Sequence, residues 1–230
     1  MNAVSKSVWI TRARPGAEAT ALRVRALGHQ AIVTPLLAVR NLDGPAIDLA
    51  GVGALAFTSA NGVRAFAAHS AERSLSVFAV GAGTAAAALD AGFADVQSAD
   101  GDVAALAGLI ARVRPSGIVL HPGARALAGD LGGALAGAGM TARMVALYET
   151  IAEAPPASFL DRIAGLDAVL VHSPKAGWRL AEILTARPAP RLVVFCLSPQ
   201  VAETVSKAAA GRVETAAFPR EDALLSLLQA

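Results

Sequence analysis

The sequence predicts an α/β protein made of two similar lobes, each a parallel sheet covered by helices on both faces. Three observations carry this. Short β-branched runs alternate with Ala/Leu-rich stretches of helical length along the chain. Its 230 residues are 54% hydrophobic and 17% charged, the balance of a folded core and not of a disordered chain. Finally, Phe57-Thr58-Ser59-Ala60-Asn61-Gly62-Val63-Arg64 is echoed 114 residues later by Val171-His172-Ser173-Pro174-Lys175-Ala176-Gly177-Trp178, and the turn at Gly81 by the turn at Ser198, 117 residues on. Both offsets are close to half the chain. A single large doubly wound sheet is the alternative.

The elements follow in order. Val8-Trp9-Ile10 reads as a strand and Ala17–Leu27 as a helix stopped by Gly28. Ala31–Thr34 is a strand halted by Pro35. Then come strand Ala54–Phe57 with helix Asn61–His69, and strand Val77–Val80 with helix Thr84–Ala91, stopped at Gly92. Asp95–Gln97 leads to helix Val103–Val113, and Ile118–Leu120 to helix Arg125–Ala138. Met144–Tyr148 is a strand. After Pro155-Pro156 follow helix Ser158–Ile163, strand Ala168–Val171, helix Lys175–Leu184, strand Leu192–Phe195, helix Gln200–Ala209, strand Arg212–Thr215 and helix Glu221–Leu228. Strands separated by helices imply right-handed crossovers and parallel pairing. Two segments, Pro35–Pro45 and Tyr148–Pro156, read as crossings between the lobes, so that one lobe uses both chain ends and the other is inserted, with a cleft between them.

Composition excludes several classes of function. Net charge is +2, from 20 Lys+Arg against 18 Asp+Glu, so bulk charge gives no case for nucleic acid. One Cys, Cys196, excludes an internal disulfide, and with four scattered His it leaves little for a metal site. No apolar run reaches the roughly 20 residues of a membrane helix. The start, MNAVSKSVWITRARPG, lacks a leader pattern. The expectation is a cytoplasmic protein with no metal.

In parallel sheets, ligands lie beyond the carboxyl ends of the strands, where helix N-termini present free N–H groups and a positive dipole end. Six strand-to-helix turns here carry small or hydroxyl residues: Thr11-Arg12, Thr58-Ser59-Ala60-Asn61, Gly81-Ala82-Gly83-Thr84, His121-Pro122-Gly123-Ala124, Ser173-Pro174-Lys175 and Ser198-Pro199-Gln200. Singly each is an ordinary cap; together they suit a small molecule rich in carboxylates or phosphates. Arg12, Arg64 and Lys175 are candidate counter-ions, and His121 and His172 fall at strand ends. Cys196 reads as core, and Glu221-Asp222 as the acidic start of the last helix. Gly81-Ala82-Gly83-Thr84 also resembles the opening of a dinucleotide fingerprint, with Asp100 and Asp102 near its acidic position. Tyr148, the chain's one tyrosine, ends a strand just before the second crossing.

The ordered series Thr11-Arg12, Gly28, Pro35-Leu36, Phe57-Thr58-Ser59-Ala60-Asn61-Gly62-Val63, Phe78-Ala79-Val80-Gly81-Ala82-Gly83-Thr84-Ala85, Gly92-Phe93, Asp102 to Leu106, Leu147-Tyr148-Glu149-Thr150 and Ser173-Pro174 resembles uroporphyrinogen-III synthase. The resemblance covers nearly the whole chain. It implies two flavodoxin-like or Rossmann-like lobes joined by a two-stranded connection, residues 1–37 with 152–230 forming one and 38–151 the other. It implies a monomeric, cofactor-free lyase of tetrapyrrole synthesis. The substrate would be hydroxymethylbilane, a linear tetrapyrrole with eight carboxylates, closed with loss of water and inversion of the last ring. It implies Tyr148 as the catalytic acid. Binding would fall to Thr11, Arg12, Thr58, Ser59, Asn61, Gly81, Gly83, Thr84, Gly123, Ser173, Lys175 and Ser198. Departures from the family pattern stand at His172, where Thr or Ser is common, and at Leu197-Ser198-Pro199-Gln200. A non-catalytic module binding the same polyanion is the rival reading, and a nucleotide-dependent enzyme using the Gly81 turn a further one.

Overall fold

The computed structural model describes residues 5–44, 46–126, 129–208 and 211–229. Pro45, Leu127, Ala128 and Ala209, which fall within expected segments, lie outside them. The chain divides into two compact units, Met1–Ala38 with Ile151–Ala230, and Val39–Thr150.

In the first unit the elements are β1 (Ser7–Ile10), α1 (Gly16–Ala26) and β2 (Gln30–Val33), and later α6 (Ala157–Leu160), β9 (Ala168–Val171), α7 (Pro174–Ala186), β10 (Val193–Cys196), α8 (Pro199–Val205), β11 (Val213–Thr215) and α9 (Glu221–Ser226). Between them, in the second unit, lie β4 (Val52–Phe57), α2 (Ala60–His69), β5 (Ser76–Ala79), α3 (Ala82–Asp90), β6 (Val96–Ser98), α4 (Val103–Val113), β7 (Ile118–Ala124) and α5 (Leu131–Gly137). Two strands, β3 (Leu37–Asn41) and β8 (Ala142–Ala152), each run through a unit boundary.

The five-stranded sheet has the order β11-β10-β9-β1-β2, and its neighbouring strands pair in parallel. The six-stranded sheet has the order β3-β8-β7-β4-β5-β6, with β8-β7-β4-β5-β6 parallel throughout. The internal echo is structural: β9-β10-β11 repeats the run β4-β5-β6, and the helices that follow the first strand of each run start on matching caps. Ser59 and Ser173 have φ, ψ of −160, 153 and −152, 153, and each hydroxyl accepts from the backbone N–H three residues on. This is the α/β, two-sheet class that the sequence predicts.

Neighbouring residues of the central strands bury on opposite faces. Trp9 joins the cluster with Val169, Val171 and Leu180, while Val8 and Ile10 join the one with Leu170 and Phe195. In β4, Leu55 and Phe57 pack with Phe66 and Phe93, while Ala54 and Ala56 pack with Leu106 and Ile110. Burial on both faces is why these strands are unbroken apolar runs. Gly28, at φ +85, ends α1 in a conformation L residues avoid.

Three expected elements differ most. The strand expected over Met144–Tyr148 runs as β8 from Ala142 to Ala152, so Tyr148 lies inside it and not at its end. The helix expected over Arg125–Ala138 is present only as α5, because β7 continues through His121-Pro122-Gly123-Ala124, pairing with Met144 to Tyr148 of β8. Gly123 therefore sits in a strand, buried opposite Ala146, and not at a helix N-terminus. Beyond Leu120 the register of β7 is with β8 alone, an edge-like setting in which Pro122 sacrifices no central ladder bond. The helix expected over Ser158–Ile163 is one turn, α6, followed by a 3₁₀ turn at Ile163–Gly165.

Candidate functional site

In the second unit, the turn that follows β4 and the interiors of β7 and β8 bring four polar side chains into two touching pairs. Ser59, the N-cap of α2, accepts from Gly62 N–H at 3.2 Å, and its Oγ lies 2.7 Å from the Tyr148 hydroxyl. Thr58 Oγ1 lies 3.1 Å from His121 Nε2. His121 is buried, and burial lowers its pKa from the usual 6.5, so the ring is neutral at pH 7. The backbone explains how Tyr148 comes here. Gly123 is opposite Ala146 but Ala124 is opposite Tyr148, so β8 carries one extra residue at Leu147. An irregularity of this kind re-aims side chains. Leu147 and Tyr148, which a regular strand would send to opposite faces, both enter the cluster with Leu55, Phe57 and Phe66. Tyr148 is 6% exposed, so its ring is core and its hydroxyl belongs to the polar corner. The following residue, Glu149, is paired with Arg125 at 3.0 Å and with Arg40, while Arg125 N–H donates to Tyr148 C=O.

Next to this corner, α3 begins at Gly81 without a side-chain cap. A Cβ placed on Gly81 or Gly83 would meet nothing within 4 Å. Packing does not call for glycine at either place, and the α3 N-terminus is left open to a ligand. Thr84, in the first turn of α3, is buried. Asn61 accepts from Arg64 at 2.7 Å. Both acidic candidates of the dinucleotide reading are engaged locally: Asp102 is the N-cap of α4, accepting from Ala105 N–H at 2.9 Å, and Asp100 accepts from the Ser98 hydroxyl at 2.7 Å.

In the first unit the corresponding edge carries the caps of α7 and α8, Ser173 and Ser198, with Lys175 in the first turn of α7. Thr11 does not offer its hydroxyl to a ligand: it is fully buried and donates to Leu170 C=O at 2.7 Å, bracing β1 against β9. Arg12 follows it and is ion-paired with Glu221 at 3.1 Å. The other Glu221 oxygen accepts from Thr20 at 2.6 Å, and His172 Nε2 lies 2.9 Å from the oxygen that Arg12 holds. Sequence reasoning read Glu221 only as a helix-dipole acid, and Thr20 not at all. No local signal gives this contact, since 209 residues separate Glu221 from Arg12. Cys196 is buried, which pushes its thiol up to about 12, in keeping with a core residue.

Burial alone would raise the Glu221 carboxyl. The hydrogen bond from His172 and, once that ring is protonated in acid, its charge, together with the Thr20 hydrogen bond and the Arg12 charge, outweigh it and hold the group at about 2, against the usual 4.5. Burial is also the largest influence on His172; it outweighs Glu221 and lowers the ring from 6.5. The folded chain thus takes up protons at both groups less readily than the unfolded one. Stability from Glu221 is complete above about pH 4.5 and is lost as pH falls toward 2, and that from His172 declines below pH 6.5. Denaturant midpoints should therefore fall on acidification, with Glu221 contributing at most about 3 kcal/mol. Glu221→Gln should flatten the profile below pH 5, and a profile identical to wild type would refute this account.

A family model described as uroporphyrinogen-III synthase HemD matches residues 18–226. No curated protein matches the chain. Among solved structures, the uroporphyrinogen-III synthetase of Helicobacter pylori 26695 is similar over 98% of this chain and 99% of its own, with 14% identity and a TM-score of 0.69. A mutant uroporphyrinogen III synthase from the extremely thermophilic bacterium Thermus thermophilus is similar over 98% of each chain, with 18% identity and a TM-score of 0.55. At these identities the structural likeness concerns the fold. Among the described residues no helix is long and apolar enough to cross a membrane.

Proposed function

The chain belongs to the uroporphyrinogen-III synthase family, and from this we propose that its strand-end turns hold hydroxymethylbilane by the carboxylates while Tyr148 protonates the departing hydroxyl. The family's reaction is a cyclising lyase step of haem biosynthesis: water is lost, the macrocycle closes, and the last ring is inverted to give uroporphyrinogen III. The observation that carries the proposed site is the Tyr148 hydroxyl, 2.7 Å from the Ser59 cap at the start of α2.

In the proposed step the C–O bond of the hydroxymethyl group on the first pyrrole breaks. The pyrrole nitrogen supplies the electron pair, and the oxygen leaves as water with a proton from Tyr148. A phenol keeps its proton at neutral pH and can donate it. With Ser59 donating to the Tyr148 oxygen, the phenolic O–H is free to point at the leaving group. The last pyrrole then attacks through its substituted carbon, forming a spiro intermediate that fragments and recloses with that ring turned over.

Closure at the unsubstituted carbon is the easier course without an enzyme. The protein's task is therefore to hold the last ring so that the hindered carbon is nearer the cation. Backbone N–H groups at the starts of α2, α3 and α7 suit that grip, with Thr58, Thr84, Ser173 and Ser198 as hydroxyl donors and Arg12 and Lys175 as charges. The reading is of a monomer acting in the cytoplasm. Incubation with fresh hydroxymethylbilane, oxidation and chromatographic separation of the porphyrin isomers tests it. Type III product is expected; type I alone, as in the enzyme-free control, would leave only the polyanion-binding module.

A further inference from the structure

The cluster around Glu221 has no part in the carboxylate grip so far described, yet it fixes the one arginine of the first unit that the grip invokes. We propose that Glu221, with Thr20 and Gly16, positions Arg12 so that the Nε–Nη2 edge of its guanidinium is presented as a fork for a substrate carboxylate. This rests on the reading of the chain as a synthase acting on a polycarboxylate.

The geometry separates the edges of Arg12. Its Nη1 is occupied, lying 3.1 Å from Glu221 Oε2 and 3.3 Å from Thr20 Oγ1. Its Nε and Nη2 have no hydrogen-bond partner among the described residues. These two donors form the side of a guanidinium that takes a carboxylate through two parallel bonds. The Arg12 side chain is 38% exposed, so this edge is reachable.

Gly16 sets the plane. A Cβ built on Gly16 would stand 2.8 Å from Arg12 Nε, 3.0 Å from Cζ and 3.0 Å from Nη2. These distances place an added methyl above the plane on the Nε–Nη2 side of the guanidinium, the side that the bare Gly16 leaves uncovered. Gly16 is the first residue of α1, where any side chain fits the backbone, so its bareness serves the arginine and not the helix.

Glu221 in turn is held at both oxygens. Thr20 bonds one and His172 the other. The His172 side chain is 8% exposed, and its Nδ1 is buried without a partner among the described residues. A neutral ring bearing its proton on Nε2 satisfies this arrangement: it donates to Glu221 and leaves Nδ1 an empty acceptor. Because the ring brings no charge, the carboxylate remains a one-to-one counter-ion for Arg12. A pairing that used every donor of Arg12 would quench it as an anchor; a pairing through Nη1 alone orients it and leaves the fork open.

The test measures kcat, KM for hydroxymethylbilane and thermal unfolding for Arg12→Ala, Glu221→Gln, Gly16→Ala and the double variant Arg12→Ala/Glu221→Gln. Loss of a two-bond charged contact should raise KM about tenfold or more in Arg12→Ala, with kcat within about threefold of wild type. Glu221→Gln keeps the shape but not the charge and should raise KM several-fold. Gly16→Ala leaves the carboxylate intact, displaces only the guanidinium, and should do the same without lowering the melting temperature. In the Arg12→Ala background, Glu221→Gln should add less than twofold to KM, since its effect passes through the arginine. Unchanged KM in Gly16→Ala, or full additivity in the double variant, would overturn the proposal, as would a Glu221→Gln change seen in melting temperature alone. Should Glu221→Gln fail to fold, Gly16→Ala decides. Wild-type enzyme yielding only type I isomer would instead sink the reading on which the inference rests.

Discussion

Tyr148→Phe should slow formation of uroporphyrinogen III at least tenfold and leave the fold in place. The phenyl ring of the variant still fills the space among Leu55, Phe57, Val63 and Phe66, so the core is unchanged. What disappears is one hydroxyl and its 2.7 Å contact with Ser59, a loss worth about 1 kcal/mol of stability. General-acid assistance is worth about 10²–10⁴ in rate, far more than that contact. Ser59→Ala provides the comparison. It removes the cap of α2 and so costs about 1 kcal/mol in stability, yet it leaves the acid itself present, and its rate should fall less than that of Tyr148→Phe. Steady-state rates with fresh substrate, read beside unfolding curves, decide the matter. A wild-type rate in Tyr148→Phe would remove the tyrosine from the chemistry, and a rate loss that simply follows lost stability would make its role structural.

The parts of this site that were legible in the sequence are those encoded locally. A buried strand followed by a Ser announces a capped helix, more so with Pro directly behind it as at Ser173 and Ser198, and Ser59, Ser173 and Ser198 are all such caps. The repeat made the reading firmer, since the same local code appears twice at nearly the same offset. Tyr148 was singled out as ending a strand, whereas β8 runs on to Ala152, and its aim was not readable. That aim depends on the extra residue at Leu147, a matter of pairing between β7 and β8. The continuation of β7 through Pro122-Gly123 was hidden for a related reason. Proline and glycine ordinarily end strands, and here they are tolerated because β4 no longer accompanies β7 past Leu120. Thr11 shows the reverse limit. Hydroxyl chemistry at a strand end suggests a ligand, and only the neighbouring Leu170 carbonyl shows that the group is already spent. The Arg12–Glu221–His172 cluster draws on three distant segments, so no window of sequence contains it.

Gly53→Ala should be the most damaging of the conservative changes in the second unit, costing about 3 kcal/mol or more. Gly53 lies where the register of β4 against β7 shifts, between Val52 and Ala54. A Cβ there would stand 1.5 Å from the Ser116 carbonyl oxygen and 2.7 Å from its carbon, both backbone atoms that no rotamer change can move. Nor can the neighbouring chain retreat easily. Gly117 is at φ +79 with its own missing Cβ only 2.5 Å from Gly51 C=O, and that same carbonyl accepts from Ile118 N–H at 2.8 Å. Relief therefore requires β4 and β7 to part at the middle of the six-stranded sheet, which would loosen the strands that carry Thr58 and His121. Gly137→Ala, at the last residue of α5 with nothing within 4 Å of the added methyl, should by contrast be neutral or stabilising by up to about 1 kcal/mol. At about 2–4 °C per kcal/mol for a chain of this size, the two variants should melt roughly 10 °C apart. Equal melting temperatures would mean that β4 and β7 do not approach each other as closely at Gly53 as the structure has them.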